Sequence, residues 1–298
     1  TGGGNLTLSG ANSYTGPTVL SGGFVYFNSI KDIGGGPSSF GAPTTVESGT
    51  ITNNSRLFYT GGTTATDRPF VLSGGFQWDV SNSGTTLTLN GAMTSVNQGP
   101  TFRGGGNFVV NGVVNIGGAG VTRTDPGTVY LNCPTNPFTG NIQISSGAFS
   151  ITNIADSGVA CTIGKGTSIQ LGQNGWYTTG KLQFTGASGG SCNRTLRVET
   201  STNTLVYGGI IENTVAGQTL LLSGPVYPGP ASYTRNPRLQ LQGAGDGELS
   251  GVISDSIKID KNSGAGTWTL SGANTYTGAT AVSAGTLLIN GSTHADSA

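Results

Sequence analysis

The chain has 298 residues, of which only 9% are charged, and its 13 basic and 13 acidic side chains cancel. Nucleic-acid binding needs clustered Lys and Arg, so this composition argues against nucleic acid as a main partner. Gly is abundant, with 53 residues, but 34% of all residues are apolar and fall into short runs, which argues against disorder. No window approaches the roughly 18 consecutive apolar residues of a membrane span, so we expect no membrane insertion by this segment.

Short strand-like runs separated by Gly, Asn, Ser or Pro follow one another along the chain, without a sustained helical period. Strands this short are stable only when they stack, so the pattern predicts parallel coils of roughly 20–25 residues that bury inward side chains on each other. The pairs Gly22–Gly23 and Gly61–Gly62 are expected at coil corners, where positive φ favours Gly. The predicted strands are, in chain order, Leu6–Leu8, Phe70–Leu72, Phe76–Val80, Leu87–Leu89, Phe108–Val110, Val113–Ile116, Ile142–Ile144, Ser168–Leu171, Lys181–Phe184, Leu196–Val198, Leu220–Leu222, Leu239–Leu241 and Ile257–Ile259.

Two stretches rich in Gly and Pro interrupt this rhythm, at 30–45 and 226–237. Because Pro removes ladder donors, both are predicted to be protruding loops, and loops on a rigid scaffold often carry binding residues. No stretch has the character of a linker between domains. The sequence therefore predicts a single elongated domain over residues 1–298.

One motif, LSGAN followed by Ser or Thr and then YTG, occurs near both ends of the chain, at Leu8–Gly16 and Leu270–Gly278. A looser copy lies within Gly127–Asn153. Internal repeats of this kind are typical of solenoids. Each copy has one aromatic residue at the tip of a polar loop, predicted to pack back over that loop. These aromatic residues are Tyr14, Phe138 and Tyr276.

The motif resembles the passenger-associated transport repeat of bacterial autotransporter passengers. Leu249–Ser271 is similar to the usual lead-in of that repeat, an SGxIS segment followed by a Gly-rich strand, and Arg68–Ser95 is similar to another half of the pattern. The resemblance implies an all-β, right-handed parallel β-helix, or β-solenoid, located outside the bacterial cell or at its surface. The first residues lack the features of a signal peptide, so the resemblance also implies that export signals lie outside this chain.

The sequence contains no recognisable group of catalytic residues. Glycoside hydrolysis needs two placed carboxylates, and the nearest acidic pair, Asp246 and Glu248, has Gly neighbours that indicate a solvated turn. The one histidine, His294, lies close to the end of the chain. No metal-binding or cofactor-binding motif is recognisable, so we expect neither a metal nor a cofactor, and we expect no enzymatic activity.

Exposed aromatic residues are the positive indication of a binding surface, because they stack on sugar rings or anchor a protein partner. Trp176 and Tyr177 are adjacent in sequence after a turn, while Tyr227 and Tyr233 lie in the second Pro-rich stretch. The competing interpretation is that these side chains pack against their own coil or loop.

The three cysteines, Cys133, Cys161 and Cys192, do not form a CxxC motif. Two interpretations remain open: a disulfide between Cys161 and Cys192 on neighbouring coils, or small buried residues. Trp78 and Trp268 lie in repeat strands and are predicted to be core residues.

These observations favour an extracellular structural protein, a surface stalk or fibre subunit. Its similar end coils would associate end to end into a filament or continue into flanking repeats, since open strand edges invite pairing. The alternative is an adhesin that binds a carbohydrate or a receptor on the cell surface. A polysaccharide-cleaving β-helix enzyme is the least supported hypothesis.

Overall fold

A computed structural model describes residues 3–173, 178–199, 208–229 and 237–292. Regular structure in these ranges is almost entirely β, with one short helix, Val46–Gly49. The strand ladders run parallel, and strands inside a ladder pair with strands of the coils before and after them. This arrangement confirms the predicted parallel β-helix. The chain divides into two compact units, Thr1–Gly140 and Asn141–Ala298, and the single elongated domain stays a prediction.

The described part of the first unit contains thirteen strands in two ladders. In order they are β1 (Asn5–Leu8), β2 (Thr18–Phe27), β3 (Ile51–Tyr59), β4 (Thr64–Thr66), β5 (Phe70–Leu72), β6 (Phe76–Val80), β7 (Thr86–Leu89), β8 (Met93–Thr94), β9 (Pro100–Arg103), β10 (Asn107–Val110), β11 (Val114–Asn115), β12 (Val121–Arg123) and β13 (Thr128–Leu131).

The long strand β3 organises the first unit. β1 pairs with β2, and β2 pairs with β3. The first half of β3 continues through β5, β8 and β11, whereas its second half continues through β6, β9 and β12. A second ladder runs through β4, β7, β10 and β13.

Among its described residues, the second unit contains fifteen strands in three ladders. In order they are β14 (Ile142–Ile144), β15 (Gly147–Ile151), β16 (Ser168–Leu171), β17 (Gly180–Phe184), β18 (Gly190–Cys192), β19 (Thr195–Val198), β20 (Gly208–Asn213), β21 (Thr219–Leu222), β22 (Val226–Pro228), β23 (Arg238–Gln242), β24 (Asp246–Leu249), β25 (Lys258–Lys261), β26 (Thr267–Leu270), β27 (Thr280–Val282) and β28 (Thr286–Ile289). The ladders are β14–β16–β19–β22, β15–β17–β20–β23–β25–β27 and β18–β21–β24–β26–β28.

In-register stacking explains why strands of three to five residues are stable. Side chains alternate between the two faces of a strand, so equivalent residues of successive coils form inward and outward columns. Leu87, Phe108 and Val129 form one inward column and are all fully buried. Each such burial contributes about 1.5–3 kcal/mol. Trp78 and Trp268 are also fully buried, which confirms their predicted place in the core.

The glycine pairs have two different physical roles. Gly22 and Gly23 have φ of 79° and 74°, as predicted, at a bulge between Ser21 and Phe24. Gly61 and Gly62 do not have positive φ, so that part of the prediction was wrong. A Cβ at Gly61 would instead overlap the carbonyl oxygen of Asn28. Gly at position 61 therefore permits close approach of another part of the backbone.

The stretch 30–45 is anchored to the first unit at several points. Ile30 and Phe40 are buried, and the fully buried Arg68 donates to the carbonyl oxygens of Phe40 and Gly49. That the stretch protrudes elsewhere stays a prediction. Of the second stretch, 226–237, β22 covers the beginning, and residues 230–236 lie outside the described ranges.

Candidate binding surface

Three long connections leave stacked strands at the same corner of the second unit. The strands before the corner pair in register, with Ile169 opposite Leu196 and Leu196 opposite Val226. The strands after the corner do the same through β17, β20 and β23. The connections 172–179, 199–207 and 229–237 each have eight or nine residues, whereas β14 and β15 are joined by two. Three successive coils of the second unit therefore carry longer connections between these strands than β14 and β15 do.

The predicted aromatic binding residues fall on these connections or beside them. Trp176 and Tyr177 belong to the first and Tyr233 to the third, but all three lie outside the described ranges. Tyr227 is in β22, with 39% of its surface exposed, and stands opposite Arg197 in register. The structure thus brings the ends of the aromatic segments to one corner and places Tyr227 on the adjoining strand.

A buried carboxylate lies at this corner. Glu199 begins the second connection with its side chain fully buried, and its Oε1 is 2.7 Å from Arg197 Nε. Neither carboxylate oxygen has a partner in hydrogen-bond geometry among the described residues, so the contact is an ion pair rather than a directed hydrogen bond. Burial raises the pKa of Glu199, and Arg197 opposes that rise. A Cβ at Gly229 would overlap the carboxylate, which explains Gly at that position.

A second, outward-facing aromatic group, on β2 and β3 of the first unit, was missed by the sequence analysis. The rings of Tyr26 and Phe58 stack with centroids 4.6 Å apart, and Phe24 meets Phe58 edge-on. Arg56 Cζ lies 4.5 Å from the Phe58 centroid, and its Nη2 is 3.2 Å from an Asp79 carboxylate oxygen. The alternation of FVYF, in which Val25 and Phe27 are inward, is the signal that would have placed Phe24 and Tyr26 outside.

The motif aromatic residues have different environments. Tyr276 and Phe138 are buried, whereas 43% of the Tyr14 surface is exposed. The hydroxyls of Tyr14 and Tyr276 lie 2.9 and 2.8 Å from the Oγ1 of Thr18 and Thr280, four residues later in each case. Each tyrosine hydroxyl thus contacts a threonine just after its own loop, and the packing of the motif aromatic residues over their loops stays a prediction.

Asp246 and Glu248 lie in strand β24, so the predicted turn was wrong. Asp246 Oδ1 accepts from the backbone N of Thr267 at 2.7 Å, and Glu248 Oε1 accepts from Ser271 Oγ at 2.5 Å. A Cβ at Gly247 would overlap the Trp268 ring of the next coil, which explains the presence of Gly inside this strand. The two carboxylates therefore connect successive coils.

The cysteines are buried, free thiols in the structure, so no bridge joins Cys161 to Cys192 there. Cys161 Sγ lies 3.2 Å from both the Gly164 carbonyl oxygen and Arg194 Nη2. Burial raises the pKa of Cys192 to about 11. This environment agrees with the interpretation of small buried residues.

Within the described ranges, no group of three or more His, Cys, Asp or Glu side chains is placed to hold a metal ion. His294 lies outside those ranges. In the same part of the chain, no helix is long and apolar enough to cross a membrane.

Comparison with known proteins supports the family resemblance that the motif indicates. A model of the passenger-associated-transport-repeat family matches residues 1–25 and 263–289. The chain is 31% identical over 286 residues to the Adhesin BmaC autotransporter of Brucella suis biovar 1 (strain 1330). The aligned region covers 95% of this chain but 7% of that protein. No solved structure matches. The chain thus resembles the autotransporter passengers that carry this repeat, as predicted, and its location is extracellular or at the cell surface.

Proposed function

We propose that this chain is a non-enzymatic segment of a bacterial surface adhesin, in which the β-solenoid acts as a stalk or fibre element. The observation that carries the proposal is the register of the ladders. Inward columns such as Leu87, Phe108 and Val129 pass from coil to coil with buried side chains. Each coil contacts the coils next to it, so backbone bonds link the coils in series.

The acidic side chains support a structural role, because most of those with a described ionic or hydrogen-bond partner connect neighbouring coils. In the described ranges, five of them form ion pairs with basic side chains, and Asp246 and Glu248 bond to the next coil. The ion pairs are Asp79 with Arg56, Asp125 with Arg103, Glu212 with Lys181, Glu199 with Arg197, and Asp260 with Arg238. A hydrolase needs a carboxylate that is free to exchange protons with its substrate.

The proposal of a non-enzymatic chain is tested by incubating the purified protein with a panel of polysaccharides and measuring new reducing ends. We expect no release above the buffer blank. Release that scales with protein concentration would contradict the proposal, and a Glu199→Gln variant would then show whether the buried carboxylate takes part.

The adhesin alternative, direct binding of a glycan or receptor by this segment, is favoured by the corner of the second unit at which the three long connections begin and end. Exposed Tyr227 adjoins it, and Trp176, Tyr177 and Tyr233 belong to its connections in sequence. Aromatic rings contribute large contact area at low entropy cost, so a few of them suffice for a sugar-binding surface.

Binding to a glycan array and to host-cell surfaces tests this alternative. If the corner binds, Trp176→Ala combined with Tyr177→Ala, and separately Tyr227→Ala, should weaken saturable binding at least tenfold. Tyr130→Ala is the matched control, because Tyr130 is similarly exposed but lies on β13 of the first unit. Equal binding by all variants would exclude the corner as the binding surface.

A further inference from the structure

Three exposed asparagines in the described ranges are each followed by glycine, directly after a strand. Asn90–Gly91 follows β7, Asn111–Gly112 follows β10 and Asn290–Gly291 follows β28. A fourth pair, Asn174–Gly175, lies outside those ranges. Because glycine has no Cβ to obstruct it, its backbone nitrogen can reach the amide carbon of a preceding asparagine side chain. The pair is therefore chemically reactive wherever that nitrogen is free.

The glycine nitrogen is occupied in two of the three pairs. The backbone N of Gly112 donates to the Leu89 carbonyl oxygen at 3.1 Å, and that of Gly291 donates to the Leu270 carbonyl oxygen at 3.1 Å. Within the described ranges, the backbone N of Gly91 donates to no acceptor. A nitrogen that donates a hydrogen bond must give it up before it attacks a carbon. Gly91 is thus the one of these three glycines whose nitrogen is ready to react.

The asparagine side chains of three successive coils form a ladder that ends at Asn90. Asn132 Nδ2 donates to Asn111 Oδ1 at 2.8 Å, and Asn111 Nδ2 donates to Asn90 Oδ1 at 2.8 Å. Asn90 therefore receives a donor on its amide oxygen, while its Nδ2 donates to nothing among the described residues. Both ends of the Asn111 amide are engaged.

These contacts favour attack on the side-chain amide of Asn90. A donor on the amide oxygen stabilises the negative charge that develops there when a nucleophile adds to the carbon. The uncommitted Nδ2 can depart without breaking a hydrogen bond to the protein. At Asn111 the oxygen also has a donor, but the attacking nitrogen and the departing nitrogen are both held.

We propose that Asn90 is a site of spontaneous deamidation, which adds a negative charge to the exposed corner after β7. The backbone N of Gly91 loses its proton to water or hydroxide and forms a bond to Asn90 Cγ. The bond from Cγ to Nδ2 breaks, and Nδ2 takes up a proton and leaves as ammonia. Water then opens the resulting succinimide ring at either carbonyl, which yields an aspartyl or an isoaspartyl residue.

The ladder accommodates the aspartyl product at position 90. A carboxylate there still accepts from Asn111 Nδ2, and a hydrogen bond to a charged acceptor is stronger than one to a neutral amide. A carboxylate at position 111 would instead have no donor to offer the Asn90 oxygen. The reaction needs neither a ligand nor association, so it does not rest on the proposed adhesin role.

Peptide mapping by mass spectrometry tests the proposal directly. The folded chain is incubated at pH 8, and samples are digested over time to follow aspartyl and isoaspartyl forms at each asparagine. We expect conversion at Asn90 to be at least tenfold faster than at Asn111 or Asn290, which corresponds to about 1.4 kcal/mol of activation free energy. In urea the three rates should converge, because unfolding removes the hydrogen bonds that distinguish them. Equal rates at Asn90 and Asn111 in the folded chain would overturn the proposal.

Variants of the ladder separate the contribution of the donor. Asn111→Ala removes the hydrogen bond to Asn90 Oδ1 and should slow conversion at Asn90 several-fold. Asn132→Ala is the matched control, because it removes the next bond of the ladder and leaves the one to Asn90 intact. All three side chains are exposed, and circular dichroism verifies that the variants fold. An unchanged rate in Asn111→Ala would contradict the role of its amide as the activating donor.

Discussion

Gly247 illustrates how one residue depends on another in a neighbouring coil. A Cβ at Gly247 would overlap the Trp268 ring, which is fully buried and donates from Nε1 to the Gln242 carbonyl oxygen at 3.2 Å. We expect Gly247→Ala to lower the free energy of unfolding by about 1–3 kcal/mol, the usual cost of overpacking. Urea denaturation followed by circular dichroism measures the loss. Gly62→Ala is the control, since a Cβ there meets nothing within 4 Å, and an equal loss in both variants would contradict the packing argument.

Cys192 gives the chain a predictable dependence on alkaline pH. Burial raises the pKa of its thiol from 9.0 to about 11, so between these values the unfolded chain loses a proton that the folded chain keeps. This contribution to stability is complete below pH 9 and is lost as the pH rises towards 11, at about 1.4 kcal/mol per pH unit. Chemical denaturation of the wild type and Cys192→Ala at pH 8, 9, 10 and 11 isolates the effect. If the free energy of unfolding falls with pH in the same way in both proteins, Cys192 does not cause the loss of stability.

The same dependence on neighbours explains which residues could not be predicted from sequence. Gly beside Asp246 and Glu248 indicated a turn, yet Gly247 lies in a strand, where it leaves room for a tryptophan 21 positions later. The role of Glu199 was also missed, since a buried carboxylate is recognisable only once the packing around it is known. Trp78 and Trp268 were predicted correctly because strand alternation alone fixes their inward direction.

At the scale of elements, Arg194, the residue just before β19, holds the irregular segment 155–165 of the preceding coil in place. The described segment 155–165 contains no strand, and the Arg194 guanidinium is almost fully buried beside it. It donates from Nε to the Ala155 carbonyl oxygen at 2.9 Å, from Nη1 to Ile163 at 3.1 Å and from Nη2 to Gly164 at 2.6 Å. Backbone carbonyls that no ladder satisfies thus find their donors in one side chain.

Arg194→Met should therefore loosen the segment 155–165 more than it loosens the neighbouring strands. Removing the guanidinium leaves several buried carbonyls unpaired, so we expect a stability loss of about 3 kcal/mol or more. Hydrogen–deuterium exchange by mass spectrometry should show faster exchange in 155–165 than in β19. Lys258→Met is the control, because Lys258 is only partly buried in its strand. Exchange that rises equally in the segment and in β19 would argue against a local role for Arg194.

The elements themselves were largely predictable, and their connections were not. Runs such as Phe108–Val110 and Leu239–Leu241 appear as parts of β10 and β23, because short apolar runs between turn residues are typical of solenoid strands. That the connections 172–179, 199–207 and 229–237 begin at one corner could not be predicted, since this depends on which strands are in register. Tyr26 and Phe58 become neighbours for the same reason.

At the scale of the whole molecule, a solenoid should respond to damage locally. Its coils bond mainly to adjacent coils, so stability is approximately a sum of coil and neighbour terms instead of one cooperative core. Phe108 is suited to test this, because it is fully buried between Leu87 and Val129 and its ring lies 4.8 Å from that of Phe102. Replacement by Ala should cost about 3–5 kcal/mol at that site.

We therefore expect Phe108→Ala to accelerate amide exchange in β7, β10 and β13 of the first unit, while β21, β24 and β26 of the second unit keep wild-type protection. The converse variant, Leu239→Ala, removes a buried side chain from β23 and should affect the second unit alone. Hydrogen–deuterium exchange of both variants measures this directly. Acceleration across both units in either variant would mean that the chain unfolds as one cooperative body, because global unfolding exposes all amides together. Acceleration confined to the mutated unit would show that each unit keeps its own fold when the other is weakened, as a stalk under tension requires.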